Sequence, residues 1–346
     1  MKKIAHVGKN LANVPYTYVK ELRAAGLNID LYIGGISDQA EKPYNNEEWV
    51  YAYEKYTIKD KLLDLTRLAT QYDCFQTYAG SSVFLQFLFK PFIVYATGSD
   101  LHELAYRNSV DGFLMRKSLE KCEKIFFSNV HLYHDIENFS LVDKAVFIPQ
   151  IISVDFHKQK NPKNFFEEYE KPIIFCPSRL DFEIKGQDRL IRAFMLYKSR
   201  GGKGTLIFVD WGVDKDKAKE ICKKIKDVVF VGVMEREELL NAYLSADIIA
   251  DQFVLGAMGL TSLEAMALGK PVIAYINEKL HQKLYRSVPP VLDAKNEDEI
   301  YNILIKLCEI DILEIGEKSQ KWLNKYHNKR NIVKKIITVY KQLGWL

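Results

Sequence analysis

Cysteine is sparse in this sequence, and what there is forms no pattern. The five cysteines, Cys74, Cys122, Cys176, Cys222 and Cys308, are scattered, odd in number and without a CxxC pair. That points away from a disulfide framework or a zinc site and towards reduced thiols in apolar cores. No apolar run approaches the roughly 20 residues needed to span a bilayer. The start, MKKIAHVGKNLANV, has two lysines but lacks the apolar stretch of a signal peptide, so the expected location is cytoplasmic. GxGxxG is absent, and GGKG at 201–204 lacks both the GxxxxGK[ST] spacing and a preceding strand, so it reads as a turn. His131 and His134 of HLYHD stand three apart with no evident third ligand. No metal and no cofactor are expected. A formal net charge of +4, from 49 Lys and Arg against 45 Asp and Glu, is too mild to imply a nucleic-acid partner.

The chain does have length and regular alternation. At 346 residues, with 48% hydrophobic and 27% charged residues, it exceeds one ordinary core and predicts two domains of roughly 150 residues. Short β-like runs alternate with helical patterns: KIAHVG at 3–8, a helix at 16–26, NIDLYIG at 28–34, PFIVYAT at 91–97, KIFFSN at 124–129 and AVFIP at 145–149. The polar, Pro-containing stretch 157–172 interrupts the alternation and reads as a linker. It then resumes with strands at 173–177, 205–210, 228–232, 247–253 and 271–275 and helices at 187–199, 215–225, 236–246 and 259–268. This order predicts an α/β protein of two doubly wound parallel sheets. The expected domains are 1–156, a linker at 157–172, and 173–325, with 326–346 as a closing helix. Residues 315–346 carry eight Lys and Arg against one acidic residue, Glu317. That is either a solvated helical face or a basic surface for anionic lipid.

In open α/β sheets, ligands bind beyond the carboxyl ends of strands. After the strand at 173–177, SRLDFEIKG places Arg179 just past the strand and Lys185 just before a helix. Two such cations can converge on a diphosphate or can be ordinary surface charges. In LGAMGLTSLEAMALGKPVI, 255–273, one carboxylate, Glu264, sits among small and apolar residues. Gly256 and Gly259 would allow close approach to a ligand. The first-turn amides of Leu260, Thr261 and Ser262 would offer an anion site. Glu264 would accept hydrogen bonds from a vicinal diol such as ribose, or cap its own helix.

SRLDFEIKGQDRLIRAF resembles the "GRL…KG…LI.AF" signature of the retaining GT-B glycosyltransferases, and LGAMGLTSLEAMALGKPVIAY resembles their "EGFGL…LEAMA.GKPVIA" motif. PFIVYATGSDL is similar to their "HGSD" region and IPQIISVDF to their "IPNGVD…F" segment. The resemblance implies the GT-B fold, two Rossmann-like domains facing across a cleft, with the last helix packing back on the first domain. It also implies transfer of a sugar from a nucleotide diphosphate donor, UDP-sugar favoured and GDP-sugar the alternative, to a glycan or lipid-linked acceptor in envelope polysaccharide or glycoconjugate synthesis, without a metal.

On this reading Arg179 and Lys185 neutralise the leaving diphosphate. Glu264 binds the ribose, Gly232 and Val233 lie beside the base, and Gly256, Gly259, Leu260 and Thr261 complete the donor site. Lys9, Asn10, Asn13 and Thr97 are the candidate acceptor contacts. The sequence departs from the pattern twice: Gly256 stands where the first Glu of a paired-glutamate motif is expected, and Thr97 replaces the motif's His. Asp100, Asp251 and Gln252 are the candidate substitutes, with Asp100 expected to bind the donor sugar or orient the acceptor hydroxyl. The alternatives are a non-catalytic nucleotide-sugar-binding subunit or a GT-B epimerase or phosphorylase. A basic C-terminus would allow peripheral contact with the inner face of the plasma membrane.

Overall fold

The structure, a computed structural model, describes residues 2–346 except 37–41, 44, 46, 53–56, 153–163 and 308. Cys308, residues 153–156 of the IPQIISVDF segment and residues 157–163 of the expected linker lie outside the described residues. The chain forms two compact units, Met1–Ile151 with His327–Leu346, and Ile152–Tyr326.

The first unit holds β1 (Ile4–Gly8), β2 (Ile29–Ile33), β3 (Val50–Ala52), β4 (Cys74–Tyr78), β5 (Phe92–Ala96), β6 (Lys124–Phe127) and β7 (Ala145–Phe147) in one sheet. All neighbours are parallel, in the order β3-β2-β1-β4-β5-β6-β7. Every residue of β2, β4 and β5 is buried, as expected of parallel strands covered by helices on both faces. The helices are α1 (Val14–Ala24), α2 (Ile58–Gln71), α3 (Ser82–Leu85), α4 (Ser99–His102), α5 (Val110–Lys121) and α6 (Leu132–Asn138). Strands β3 and β4 and helix α2 had no counterpart in the sequence reading. Helix α2 begins in a capping box in which Thr57 and Asp60 satisfy each other's backbone amides.

The second unit holds β8 (Ile173–Cys176), β9 (Thr205–Val209), β10 (Val228–Val231), β11 (Ile248–Ala250), β12 (Val272–Ala274) and β13 (Leu292–Asp293), ordered β10-β9-β8-β11-β12-β13. Its helices are α7 (Gln187–Ser199), α8 (Lys215–Cys222), α9 (Arg236–Ser245), α10 (Leu260–Ala267), α11 (Glu278–Tyr285), α12 (Glu297–Lys306) and α13 (Ile312–Tyr326). Strand β11 stops at Ala250, three residues short of the run read from sequence, which frees Asp251, Gln252 and Phe253 to build a loop.

The closing helix α14 (Lys329–Gln342) belongs to the first unit. Ile332, Val333, Ile336, Val339 and Tyr340 repeat at helical spacing and enter that unit's core, as does Trp345, which is fully buried. Four buried side chains fix the helix to the sheet. Gln76 Nε2 donates to Tyr78 Oη at 2.6 Å, His6 Nδ1 lies 2.9 Å from Tyr78 Oη, His6 Nε2 lies 2.9 Å from Tyr340 Oη, and Tyr340 Oη donates to Gln76 Oε1 at 2.7 Å. The donors and acceptors close into a ring only if Tyr78 donates to Nδ1 and Nε2–H donates to Tyr340, which assigns the neutral tautomer of His6. Burial pushes the His6 pKa down to about 3, so the ring keeps that neutral form.

Candidate functional site

In the second sheet the strand order reverses between β8 and β11, which pair directly. The loops leaving their carboxyl ends therefore diverge and open a crevice. Arg179 lies on the loop after β8, about half exposed, with Nη2 3.2 Å from Asp181 Oδ2. The loop doubles back because the Lys185 amide donates to the Asp181 carbonyl at 2.7 Å and Gly186 takes a left-handed φ of 71° before α7. Lys185 Nζ reaches Asp251 Oδ1 at 3.1 Å and keeps only about a fifth of its side chain exposed.

Asp251 is the pivot of the crevice and is fully buried. Its Oδ2 accepts from the Gly259 amide at 3.2 Å, the Ser262 amide at 3.3 Å and the Ser262 hydroxyl at 2.7 Å. The carboxylate thus occupies part of the N-terminus of α10, where the helix dipole and orphan amides favour a negative charge. This corrects two expectations: the Ser262 amide belongs to Asp251, and Asp251 faces its own helix instead of replacing a lost ligand carboxylate. The Leu260 and Thr261 amides complete the first turn. Gly259 has no room for a side chain, since an added Cβ would lie 2.6 Å from Asp251 Oδ2 and 3.2 Å from Lys185 Nζ.

Gln252 does not replace the lost carboxylate either. Its amide donates to the carbonyls of Ala257 and, at 3.1 Å, Tyr275, while its Oε1 accepts from the Val254 and Leu255 amides at 3.3 and 2.9 Å. It clasps the loop that holds Gly256. Gly256 itself has φ of 66°, its carbonyl accepts from the Asn277 amide at 2.8 Å, and an added Cβ would meet the Tyr275 ring at 2.9 Å. The position that departs from the family pattern is therefore shaped for glycine.

Glu264 is not a solitary carboxylate. Arg236, at the start of α9, places Nη2 2.5 Å from Glu264 Oε1, which compensates the charge of a side chain only 6% exposed. Neither ligand nor self-capping is needed to account for its burial. Arg236 was missed in the sequence because its partner lies 28 residues away. Tyr243, buried on the same side, has its phenol pushed well above the ordinary range by burial and then by the Glu264 charge, against a hydrogen bond with Thr261. Gly232 and Val233 follow β10, with Gly232 in open space and Val233 71% exposed.

The first unit rearranges the acceptor candidates. Asn10 is fully buried: its amide donates to Asn13 Oδ1 at 2.9 Å and its Oδ1 accepts from the Tyr16 amide at 3.1 Å. Asn13, also buried, adopts a left-handed φ of 55° and starts α1. The two asparagines shape the turn, while Lys9 is exposed. Asp100 is corrected outright as a ligand-facing group. It is 3% exposed, its Oδ1 accepts from the amides of Thr97 at 3.0 Å, Gly98 at 2.9 Å and Leu101 at 3.0 Å, and Oδ2 lies 3.1 Å from the Thr97 amide. Burial raises its pKa and those amides oppose the rise. The carboxylate ties the turn after β5, and Thr97 contributes its backbone to it.

Sequence reasoning also missed His102. Its Nδ1 lies 2.9 Å from Asp135 Oδ2, and Asp135 Oδ1 accepts from Tyr106 Oη at 3.0 Å. The second histidine of HLYHD, His134, instead lies 3.7 Å from Glu137. Among the described residues no group of three or more His, Cys, Asp or Glu side chains is placed to hold a metal ion.

Two parallel doubly wound sheets, the second with cations gathered at its reversal point, define a protein of the GT-B class. Residues 157–284 match the family model described as "Glycosyl transferases group 1". A GDP-mannose-dependent monoacylated alpha-(1-6)-phosphatidylinositol monomannoside mannosyltransferase of Corynebacterium glutamicum is 27% identical over 146 residues, covering 40% of this chain and 38% of that protein. An uncharacterized glycosyltransferase of Methanocaldococcus jannaschii is 29% identical over 181 residues, 51% of this chain and 46% of that protein. The matches thus span under half of each relative's length. Among solved structures, Anabaena HepE in complex with UDP-glucose superposes with a TM-score of 0.71 at 13% identity, over 99% of this chain and 100% of that one. At that identity the likeness establishes the fold.

Proposed function

We propose that this protein is a retaining, metal-independent glycosyltransferase that moves a sugar from a nucleotide diphosphate donor to a glycan or lipid-linked acceptor. The observation that carries the reading is Lys185 beside the N-terminus of α10 at the strand-order reversal of the second sheet, with Arg179 on the same loop after β8. An incoming diphosphate would compete with Asp181 for Arg179 and share Lys185 with Asp251. Cations and helix amides then stabilise the leaving phosphate as its charge develops, the work a metal does elsewhere. Glu264, held by Arg236 through one oxygen, presents the other to the ribose. Retention follows from front-face attack in which the departing phosphate oxygen takes the acceptor proton.

A GDP-mannose-dependent relative and a UDP-glucose-bound neighbour support a nucleotide diphosphate sugar as donor. UDP-sugar remains our preferred donor, with GDP-sugar the alternative, and envelope polysaccharide or glycoconjugate synthesis the proposed setting. Titration of the chain with UDP and GDP tests the site. Arg179→Ala should weaken the better nucleotide about tenfold or more, the scale of a lost charge-assisted hydrogen bond. Unchanged affinity would refute the diphosphate assignment.

Peripheral contact with anionic lipid is part of the proposal. The basic end of the chain supports it less than its charge suggests, because Lys318, Lys321 and Lys329 pair with Glu314, Glu317 and Glu21. Phe84, Phe87 and Phe89, in and just after α3, and Phe113 of α5 are more than half exposed and give lipid an apolar foothold. Co-sedimentation with anionic vesicles should fall when the first three become serine; equal binding by that variant would remove this support. Among the described residues no helix is long and apolar enough to cross a membrane.

A further inference from the structure

We propose that His102, Asp135 and Tyr106 form a binding site for the hydroxyls and ring face of a carbohydrate, placed beyond the carboxyl ends of β5 and β6. The proposal rests on the glycosyltransferase reading and names where the first unit holds its acceptor glycan. His102 ends α4, which follows β5, and Asp135 lies on α6, which follows β6. These two strands are neighbours, so their loops meet at the edge where ligands bind in parallel sheets.

The side chains are arranged as a supported imidazole. Asp135 is 4% exposed, and a carboxylate can only accept, so His102 donates through Nδ1–H. The tautomer is thereby set with Nε2 carrying the lone pair. Half of the His102 side chain is open to solvent, at 51%. A histidine whose one nitrogen is anchored to a buried carboxylate while the other meets solvent is a hydroxyl acceptor held in one orientation.

The remaining residues add what a sugar requires besides a hydrogen bond. Tyr106, 49% exposed, shares the Asp135 carboxylate with the imidazole and is steadied by that bond and by Asn138 Nδ2, which donates to Tyr106 Oη at 3.1 Å. Phe139 lies against that ring with centroids 4.8 Å apart, and the His131 ring meets His102 edge-on at 5.9 Å. An exposed aromatic face next to oriented polar groups matches the alternating C–H and hydroxyl surfaces of a pyranose. A structural tie between α4 and α6 would require only the buried carboxylate. It would not require an exposed imidazole and an exposed phenol converging on it.

The test is saturation-transfer NMR on the full chain with methyl α-mannopyranoside and methyl α-glucopyranoside, with and without UDP, alongside a UDP titration. Wild type should show transfer to at least one glycoside. His102→Ala and Tyr106→Ala should each reduce it about fivefold or more at an unchanged melting temperature. His102→Gln, which keeps a polar group at the same reach, should restore part of it, a recovery that a purely structural tie would not give. No transfer in wild type, or equal transfer in His102→Ala, overturns the proposal. The donor reading fails separately, by absence of UDP binding in the wild-type chain.

Discussion

The two sheets share a winding but not a chemistry. Each reverses its order at the same topological place, between β1 and β4 in the first unit and between β8 and β11 in the second. In the second unit the reversal point is ionic: Lys185, Asp251 and the amides of α10 neutralise one another, and Arg179 pairs with Asp181 nearby. In the first the buried groups that build it are uncharged. Asn10 and Asn13 shape the turn after β1, and the ring of Gln76, Tyr78, His6 and Tyr340 locks α14 to the sheet with uncharged hydrogen bonds. On the proposed reading, a site that handles a phosphate needs charges held in readiness. A scaffold that only has to hold its closing helix does better with groups that need no counterion.

The largest effect should come from breaking the ionic centre. Lys185→Met removes the cation facing a fully buried carboxylate, and a broken buried pair typically costs about 3–5 kcal/mol. The loss should fall towards the low end because the Gly259 and Ser262 donors remain. Melting temperature should drop sharply in Lys185→Met and recover in the double variant Lys185→Met, Asp251→Asn, while UDP affinity stays low in both. Recovery of UDP binding in the double variant would mean that Lys185 serves the fold alone.

That contrast also explains what could be read from sequence. The second unit's motifs are compact: SRLDFEIKG brings Arg179 and Lys185 within six positions of each other, and the LGAMGLTSLEAMALGKPVI run contains its own loop, cap and helix. Strand edges and helix starts there follow local periodicity, so the parallel α/β class and the place of these residues at strand ends were legible. What was not legible is side-chain partnership across the sheet. Glu264 looked solitary because Arg236 enters from α9, and Asp100 looked available because its donors, the amides of its own turn, leave no mark in composition. His102 and Asp135 lie 33 positions apart. Residues 50–78 were unread because β3 has only three residues and β4, CFQTY, mixes polar with apolar positions on a fully buried strand.

The neutral ring predicts a pH effect of its own. His6 in the folded chain titrates at about 3, below the ordinary 6.5, so the unfolded chain binds the extra proton first as pH falls. The stabilisation is complete above about pH 6.5 and declines between 6.5 and 3 by about 1.4 kcal/mol per pH unit. Urea unfolding at pH 7 and pH 5 should show this loss in wild type and a smaller one in His6→Gln. An equal slope in the two proteins would place the acid sensitivity elsewhere.

The smallest effects separate Gly256 from Gly232 and test what the departure at position 256 means. Gly256→Ala must hold a left-handed φ of 66° with its Cβ 2.9 Å from the Tyr275 ring, so about 1–2 kcal/mol should be lost from backbone strain before the ring contact is counted. Gly232→Ala meets nothing within 4 Å and has no left-handed φ, so its cost should stay within about 0.5 kcal/mol, as for an ordinary surface change. Chemical unfolding checks both. The result bears on restoring a glutamate at 256: if Gly256→Ala is already destabilised, a glutamate there cannot simply recover the family's sugar contact, because the loop clasped by Gln252 and Asn277 would first have to change its turn. A fully tolerated Gly256→Ala would instead mean that this loop accepts side chains, and that the missing carboxylate reflects donor choice and not backbone geometry.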